Sequence, residues 1–426
     1  MTTEVIIMNR EAVAIAADSA VTIQGRKVLN TANKLYMLAP GHAVGVVIYN
    51  NASFMGMSWE LIIKLYRNYL KAENKQPQHF LHLSDYATDF MGFIERNCVD
   101  WVSEDEQKRF FIAHLQDLML IKIFRTVNHR VEETILENPS PISGQDIVNI
   151  ANHVIDEVCS EWENADFLYT EVIRKKIKDS LYQSYHPIFE QLYNQYLSNL
   201  GLDEKTKQRL WNQCVNWFIK DQWDHYSGIG FAGYGDKDLF PSFTVYKVET
   251  FFHIWLKSSQ TEHHSAQQAA RIFPLAQGDV VQTILSGVHP STLAKLQDIF
   301  INQVGLRYQT LLTSNKPKLS KADIENISNQ MVQEDFDALI KSLLNRMRNE
   351  CTSPIMQIVQ SLPKDELALM AETLVNITSY MRRVSFNLET VGGPTDVAVI
   401  SKKDGFIWIK RKHYFDPEQN YHFFKE

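Results

Sequence analysis

The sequence predicts a mixed α and β fold in which one sheet-based core is interrupted by two long helical blocks. Three observations carry this. Short, β-branched apolar runs open the chain, at 4–8 (Glu-Val-Ile-Ile-Met) and 12–17 (Ala-Val-Ala-Ile-Ala-Ala). Apolar residues then recur at three- and four-residue steps from Phe54 to about Tyr226, beginning with Trp59, Ile62, Ile63, Tyr66 and Leu70, and again from Ser291 to about 384. Finally, Val397–Ile400 and Phe406–Lys410 flank Lys403-Asp404-Gly405, an Asp-Gly turn of the hairpin type.

The first two runs are joined by the polar turn Asn9-Arg10-Glu11 and do not alternate cleanly between apolar and polar residues. A strand apolar at consecutive positions is covered on both faces, so this sheet is expected to be an inner layer. Residues 33–38 and 42–49 supply two more strands around Pro40-Gly41, and strands return at 228–234, 242–248 and 251–257. No repeat, low-complexity tract or flexible linker divides the chain. We therefore expect a single domain over 1–426, with helical insertions at about 54–226 and 291–384.

Composition excludes several classes of function. Apolar residues make up 45% and charged residues 22%, the profile of a globular domain, and the net charge is −7. Phosphate-driven binding needs a clustered basic face, which is absent, so no nucleic-acid partner is expected. No run approaches the roughly 20 apolar residues of a membrane helix. The four cysteines are widely spaced, and the N-terminus has no basic segment before its short apolar run. Both point to a cytoplasmic protein.

The residues that suggest chemistry are Thr2, Asp18 and Lys34. Met before a small residue is normally trimmed, which would free the α-amine of Thr2. An N-terminal threonine holds nucleophile and base in one residue, because its hydroxyl attacks while its α-amine takes the proton. An α-amine titrates at about 7.7–8.0, close to working pH. Asp18 closes the second strand and Lys34 opens the third. Paired beside Thr2, they would keep the local potential positive and ease loss of the hydroxyl proton.

These residues resemble the start of a proteasome β-type subunit, and especially of its simpler bacterial counterpart in ATP-dependent protease rings. Thr2-Thr3, Ala16-Ala17-Asp18-Ser19 and Lys34 match in kind and spacing without a gap. Phe231–Asp236 with Pro241–Tyr246 resembles the family's Gly-containing strand and the strand after it, and Gly392-Gly393 with Asp396–Gly405 resembles its closing hairpin. Roughly a third of the chain is covered.

The resemblance implies a four-layer αββα sandwich of two antiparallel sheets, the N-terminal-nucleophile (Ntn) hydrolase fold. It implies Thr2 as nucleophile of a threonine peptidase, Asp18 and Lys34 as its support, and Thr22 as a backbone partner of the peptide. The oxyanion N–H maps near Ile48, and Val21, Ala32 and Val46 suggest an apolar residue before the cut. A non-peptidase amidase and a silent scaffold whose helices bind a partner are the alternatives.

The sequence departs from the family at the positions that support the amine. Leu388 and Val391 replace an acidic residue and a serine, leaving Glu389 and Thr390 as substitutes. The segment Gln277-Gly278-Asp279 lacks the expected serine, leaving Asp279. Neither cofactor nor metal is expected, since His253 and His263-His264 have no third ligand at useful spacing, and the histidine pair reads as a solvated loop. The tryptophans Trp101, Trp162, Trp211, Trp217 and Trp223 read as helical core.

Overall fold

The computed structural model describes residues 3–23, 27–29, 32–72, 80–137, 141–267, 269–315, 320–384, 392–413, 415 and 418–420. The chain begins with β1 (Glu4–Met8), β2 (Ala12–Ala17), β3 (Val21–Ile23), β4 (Lys27–Leu29), β5 (Leu35–Met37), β6 (Val44–Asn50), β7 (Ser53–Phe54) and β8 (Met57–Ser58). The first helical block holds α1 (Trp59–Ala72), α2 (Leu83–Trp101), α3 (Glu104–Gln116), a π-helical stretch (Asp117–Arg125), α4 (Thr126–Glu137), α5 (Gly144–Glu163), α6 (Glu171–Tyr196) and α7 (Glu204–Ile219). Strands resume as β9 (Ser227–Gly233), β10 (Ser242–Phe252), β11 (Trp255–Ser265) and β12 (Arg271–Pro274). The second block holds α8 (Asp279–Ser286), α9 (Pro290–Asn315), α10 (Lys321–Met347), α11 (Ser353–Val359) and α12 (Lys364–Arg383), and β13 (Asp396–Ser401) and β14 (Gly405–Lys410) close the fold.

Two five-stranded antiparallel sheets form, one ordered β12-β1-β2-β13-β14 and the other β11-β10-β9-β6-β5. Every residue of β1 and β2 is buried, as their unbroken apolar runs require. Alternate side chains go to opposite faces. Ile6, Met8, Val13, Ile15 and Ile400 of the first sheet meet Leu35, Val47, Tyr49 and Phe243 of the second in one inter-sheet core. On the far side of the first sheet, Val5, Ile7, Ala14 and Ala16 pack under α12 and α8. On the far side of the second, Val44, Val46, Ile48 and Phe231 pack under α1 and α2. The fold is thus mixed, with antiparallel sheets between outer helices.

The helices α3 to α7 build a separate apolar core from Phe111, Leu115, Leu181, Phe189, Trp211, Trp217 and neighbours, which meets the sheets at Phe252 and Trp255. Local signals set their starts. Ser103 with Glu106 and Ser143 with Asp146 form capping boxes, and Asp203 caps α7 through the Thr206 N–H. Asn9 fixes the β1–β2 turn: its Oδ1 accepts from the Glu11 and Ala12 N–H groups, while Nδ2 donates to the Val359 and Leu362 carbonyls.

Three strand readings change. The short hairpin β3–β4 has no sequence signal beyond its β-branched residues. The run 251–257 is not one strand but the turn of a long hairpin at His253-Ile254. His263 and His264 are not in a loop; they pair with Thr244 and Phe243 within β11, where Phe243 stacks on His264.

Candidate functional site

The site residues are brought together by the ends of strands from both sheets. Thr3 precedes β1, Asp18 follows β2, and Lys34 precedes β5. The Asp18 N–H donates to the Thr3 carbonyl at 3.1 Å, extending the β1–β2 ladder by one step. The Ile48 N–H donates to the Lys34 carbonyl at 2.8 Å, doing the same for β5–β6. Two buried side chains from different sheets are thereby aimed at one another.

Asp18 is 1% exposed and Lys34 is 3% exposed. Asp18 Oδ1 accepts from Lys34 Nζ at 2.5 Å and from the Thr3 N–H at 3.0 Å. Its Oδ2 accepts from the Gly392 N–H at 3.0 Å and the Ala20 N–H at 3.3 Å. With four donors on one carboxylate, Asp18 is suited to hold a cation and a chain segment in place rather than to take up a proton. Glu4, buried in β1, adds a second carboxylate 3.6 Å from Lys34 Nζ.

The Gly392–Pro394 segment closes over this group. The Ser19 N–H donates to the Gly392 carbonyl at 3.2 Å, and the Ser19 hydroxyl donates to the Pro394 carbonyl. Gly393 takes φ 78, a left-handed conformation that a glycine adopts without a Cβ penalty. Sequence reasoning placed Asp18 and Lys34 but missed Glu4 and the backbone of Thr3 and Gly392 as partners. The signal for Glu4 was one charge at the head of an otherwise apolar strand.

The other expected positions divide. Thr2 and Glu389 lie outside the described residues, as do Leu388, Thr390 and Val391. Thr22 lies in β3, its backbone paired with Val28. Val46 and Ile48 point into the core beneath α1 and α2 and do not line a cleft at Asp18. The Ile48 N–H, expected as an oxyanion donor, is instead spent within the β5–β6 ladder. Asp279 opens α8, and its Oδ1 receives Arg382 Nη2 at 2.5 Å; the same guanidinium donates through Nε to Gln277 Oε1 at 2.8 Å. Its carboxylate therefore ties α8 to α12.

Among the described residues no group of three or more His, Cys, Asp or Glu is placed to hold a metal ion, and no helix is long and apolar enough to cross a membrane. Compared with known proteins, the sequence matches no family model and no curated protein.

Proposed function

We propose that this chain is an N-terminal threonine hydrolase that cleaves an amide bond through an ester at Thr2. One observation carries the reading: the Asp18 carboxylate that holds Lys34 also holds the Thr3 N–H. That nitrogen is bonded to the carbonyl carbon of Thr2, about 1.33 Å away. Thr3, the residue that follows the proposed nucleophile, is therefore held on the same carboxylate oxygen as a buried ammonium. In this mechanism the Thr2 hydroxyl adds to the amide carbonyl and its proton passes to the Thr2 α-amine. The amine then delivers that proton to the departing nitrogen as the C–N bond breaks. A water, deprotonated by the same amine, hydrolyses the ester. Lys34 supplies positive potential where negative charge develops, and Asp18 keeps it there.

The layer order supports reading the fold as Ntn-hydrolase-like, of the proteasome β type. Peptides are the substrate class the resemblance favours, and a small amide is the other. Ile48 cannot serve as the oxyanion donor while its N–H bonds Lys34. N–H groups on one strand edge recur every second residue, so the next donor on that edge is Asn50, which ends β6 at φ 64.

A second reading, a catalytically silent scaffold, is favoured by the commitment of both the Ile48 N–H and Asp279 to structural bonds. Intact mass and an active-site label separate the two. The hydrolase should lack Met1 and gain the mass of one electrophilic proteasome-type inhibitor at Thr2, and T2A should take up none. Retained Met1, or equal labelling of T2A, would sink the catalytic reading.

A further inference from the structure

The first helical block contains a cluster of buried polar groups that the reaction above does not use. His114 on α3 stacks on Trp217 of α7, with ring centroids 3.8 Å apart and planes at 12°. Its Nδ1 lies 3.8 Å from Asp224 Oδ2, and its buried Nε2 has no hydrogen-bond partner. Asp224 Oδ2 and Gln213 Oε1 are likewise buried without a hydrogen-bond donor. All three residues line one cavity of about 400 Å³, together with Leu118, Val158 and Trp162. Folded proteins leave only a few such atoms unmatched, and here three of them belong to residues that line one cavity.

A second feature of the backbone points to the same place. Leu118 and Lys122 reach the cavity from the π-helical stretch Asp117–Arg125. Such winding is uncommon and is frequent at functional sites, although a second π-helical stretch, Arg348–Thr352, lies in the other helical block. The charged residues of the lining are Asp224, Glu157 and Lys122. Lys122 is shared between Asp224, at 2.9 Å, and Asp117, at 3.5 Å, and Glu157 is held by Arg130 at 2.6 Å, while the neighbouring buried Lys257 is taken by Glu249 at 2.6 Å. Burial, followed by the positive charge of Lys257 and Lys122, holds His114 well below its ordinary titration range, so its ring is neutral and offers one acceptor nitrogen.

We propose that this cavity binds a small organic amine, its ammonium donating to the acceptors of Gln213, Asp224 and His114, and its apolar body lying against Leu118, Val158 and Trp162. An ammonium supplies three donors and a positive charge beside the Asp224 carboxylate, and an aromatic wall favours a cation nearby. The volume falls in the ordinary range of small-molecule sites. The site is separate from Asp18 and Lys34, so it stands or falls independently of the hydrolase reading.

The test uses the full chain and 2-phenylethylamine, with phenylacetate as a control of similar size and opposite charge. The amine should raise Tm saturably and move the indole N–H resonance of Trp162, while phenylacetate does neither. Q213L and H114F, which exchange polar atoms for apolar ones of similar shape, should weaken amine binding at least tenfold, and T2A should bind like wild type. No saturable response to the amine, or an equal response to phenylacetate, overturns the proposal, as does wild-type affinity in both variants. If either variant fails to fold, the wild-type comparison of amine with carboxylate still decides.

Discussion

Lys34 is held at both ends: its carbonyl accepts from the Ile48 N–H at 2.8 Å, and its ammonium meets Asp18 Oδ1 at 2.5 Å. The residue therefore joins the two sheets, with its backbone in one and its charge committed to the other. Its removal should be felt in stability as well as in turnover. K34M leaves the Asp18 and Glu4 carboxylates in a buried site without their ammonium, and breaking a buried pair in this way costs about 3–5 kcal/mol. D18N keeps one acceptor oxygen, for the Thr3 and Lys34 side or for the Gly392 and Ala20 side, and turns its NH2 on the donors of the other, so it should be destabilising as well. Urea unfolding should show a loss in both variants, and hydrolase activity should be lost in both.

Two histidines set an expected acid sensitivity. Burial lowers His114 and His42 below the ordinary 6.5, with the carboxylate of Asp236 partly opposing the shift at His42. His114 is faced by Asp224, Lys122, Lys257 and His225, and His42 bonds the Tyr86 hydroxyl through Nδ1 at 2.7 Å. In the unfolded chain both rings take up protons as pH falls through about 6.5, while in the folded chain they do so only at lower pH. The unfolded state then binds more protons, so stability falls with falling pH, by up to about 1.4 kcal/mol per pH unit for each ring. Urea midpoints between pH 7.5 and 5.5 should fall in the wild type and fall less steeply in H114F. Identical slopes would show that His114 protonates equally well in the folded protein.

The balance between legible and illegible features has a physical basis. β1 and β2 were readable because strands buried on both faces must be apolar at every position, and the closing hairpin because an Asp-Gly turn has few other uses. β12 and the far half of β11 were missed because Arg271-Ile-Phe-Pro274 and Ser258–Ser265 carry too many polar residues for a strand pattern, their pairing being set by partners distant in sequence. The same limit applies at the site. Asp18 and Lys34 announced themselves as charges at the ends of apolar runs, whereas the Thr3 and Gly392 N–H groups have no residue type to reveal them. The acceptors around His114 were hidden for a third reason, because a histidine and a glutamine on an aromatic helix face look like any satisfied core residues.

Glycine positions in β9 give a test of close packing. Gly233 sits at φ 137, and a Cβ there would meet the Ala43 carbonyl oxygen at 2.0 Å, a backbone atom of the residue that leads into β6. Neither the conformation nor the contact can relax without separating β6 from β9, so G233A should cost about 3 kcal/mol or more. Gly144 is the internal control: it lies in the first turn of α5, with nothing within 4 Å of an added Cβ. G144A should raise stability by about 0.5–1 kcal/mol through helix propensity. Equal effects from the two substitutions in thermal unfolding would refute the packing argument.

The second helical block bears on assembly. In the family that the N-terminus resembles, helix pairs outside the sheets stack one ring on another. Here α12 and α8 cover the first sheet, but α9 and α10, at 26 and 27 residues, are far longer than the layer needs. Within α10 the buried residues are Ser328, Val332, Phe336 and Met347, so most of its length faces away from any core. Leu296, Ile299, Leu306 and Leu339 remain exposed on these two helices. Arms of this length beside the first sheet would obstruct ring stacking, and a lone subunit or a dimer is the expected state. Light scattering coupled to size exclusion should give the mass of one or two 49.3 kDa chains. A double ring would show that the arms fold clear of the stacking face, and the obstruction argument would fail.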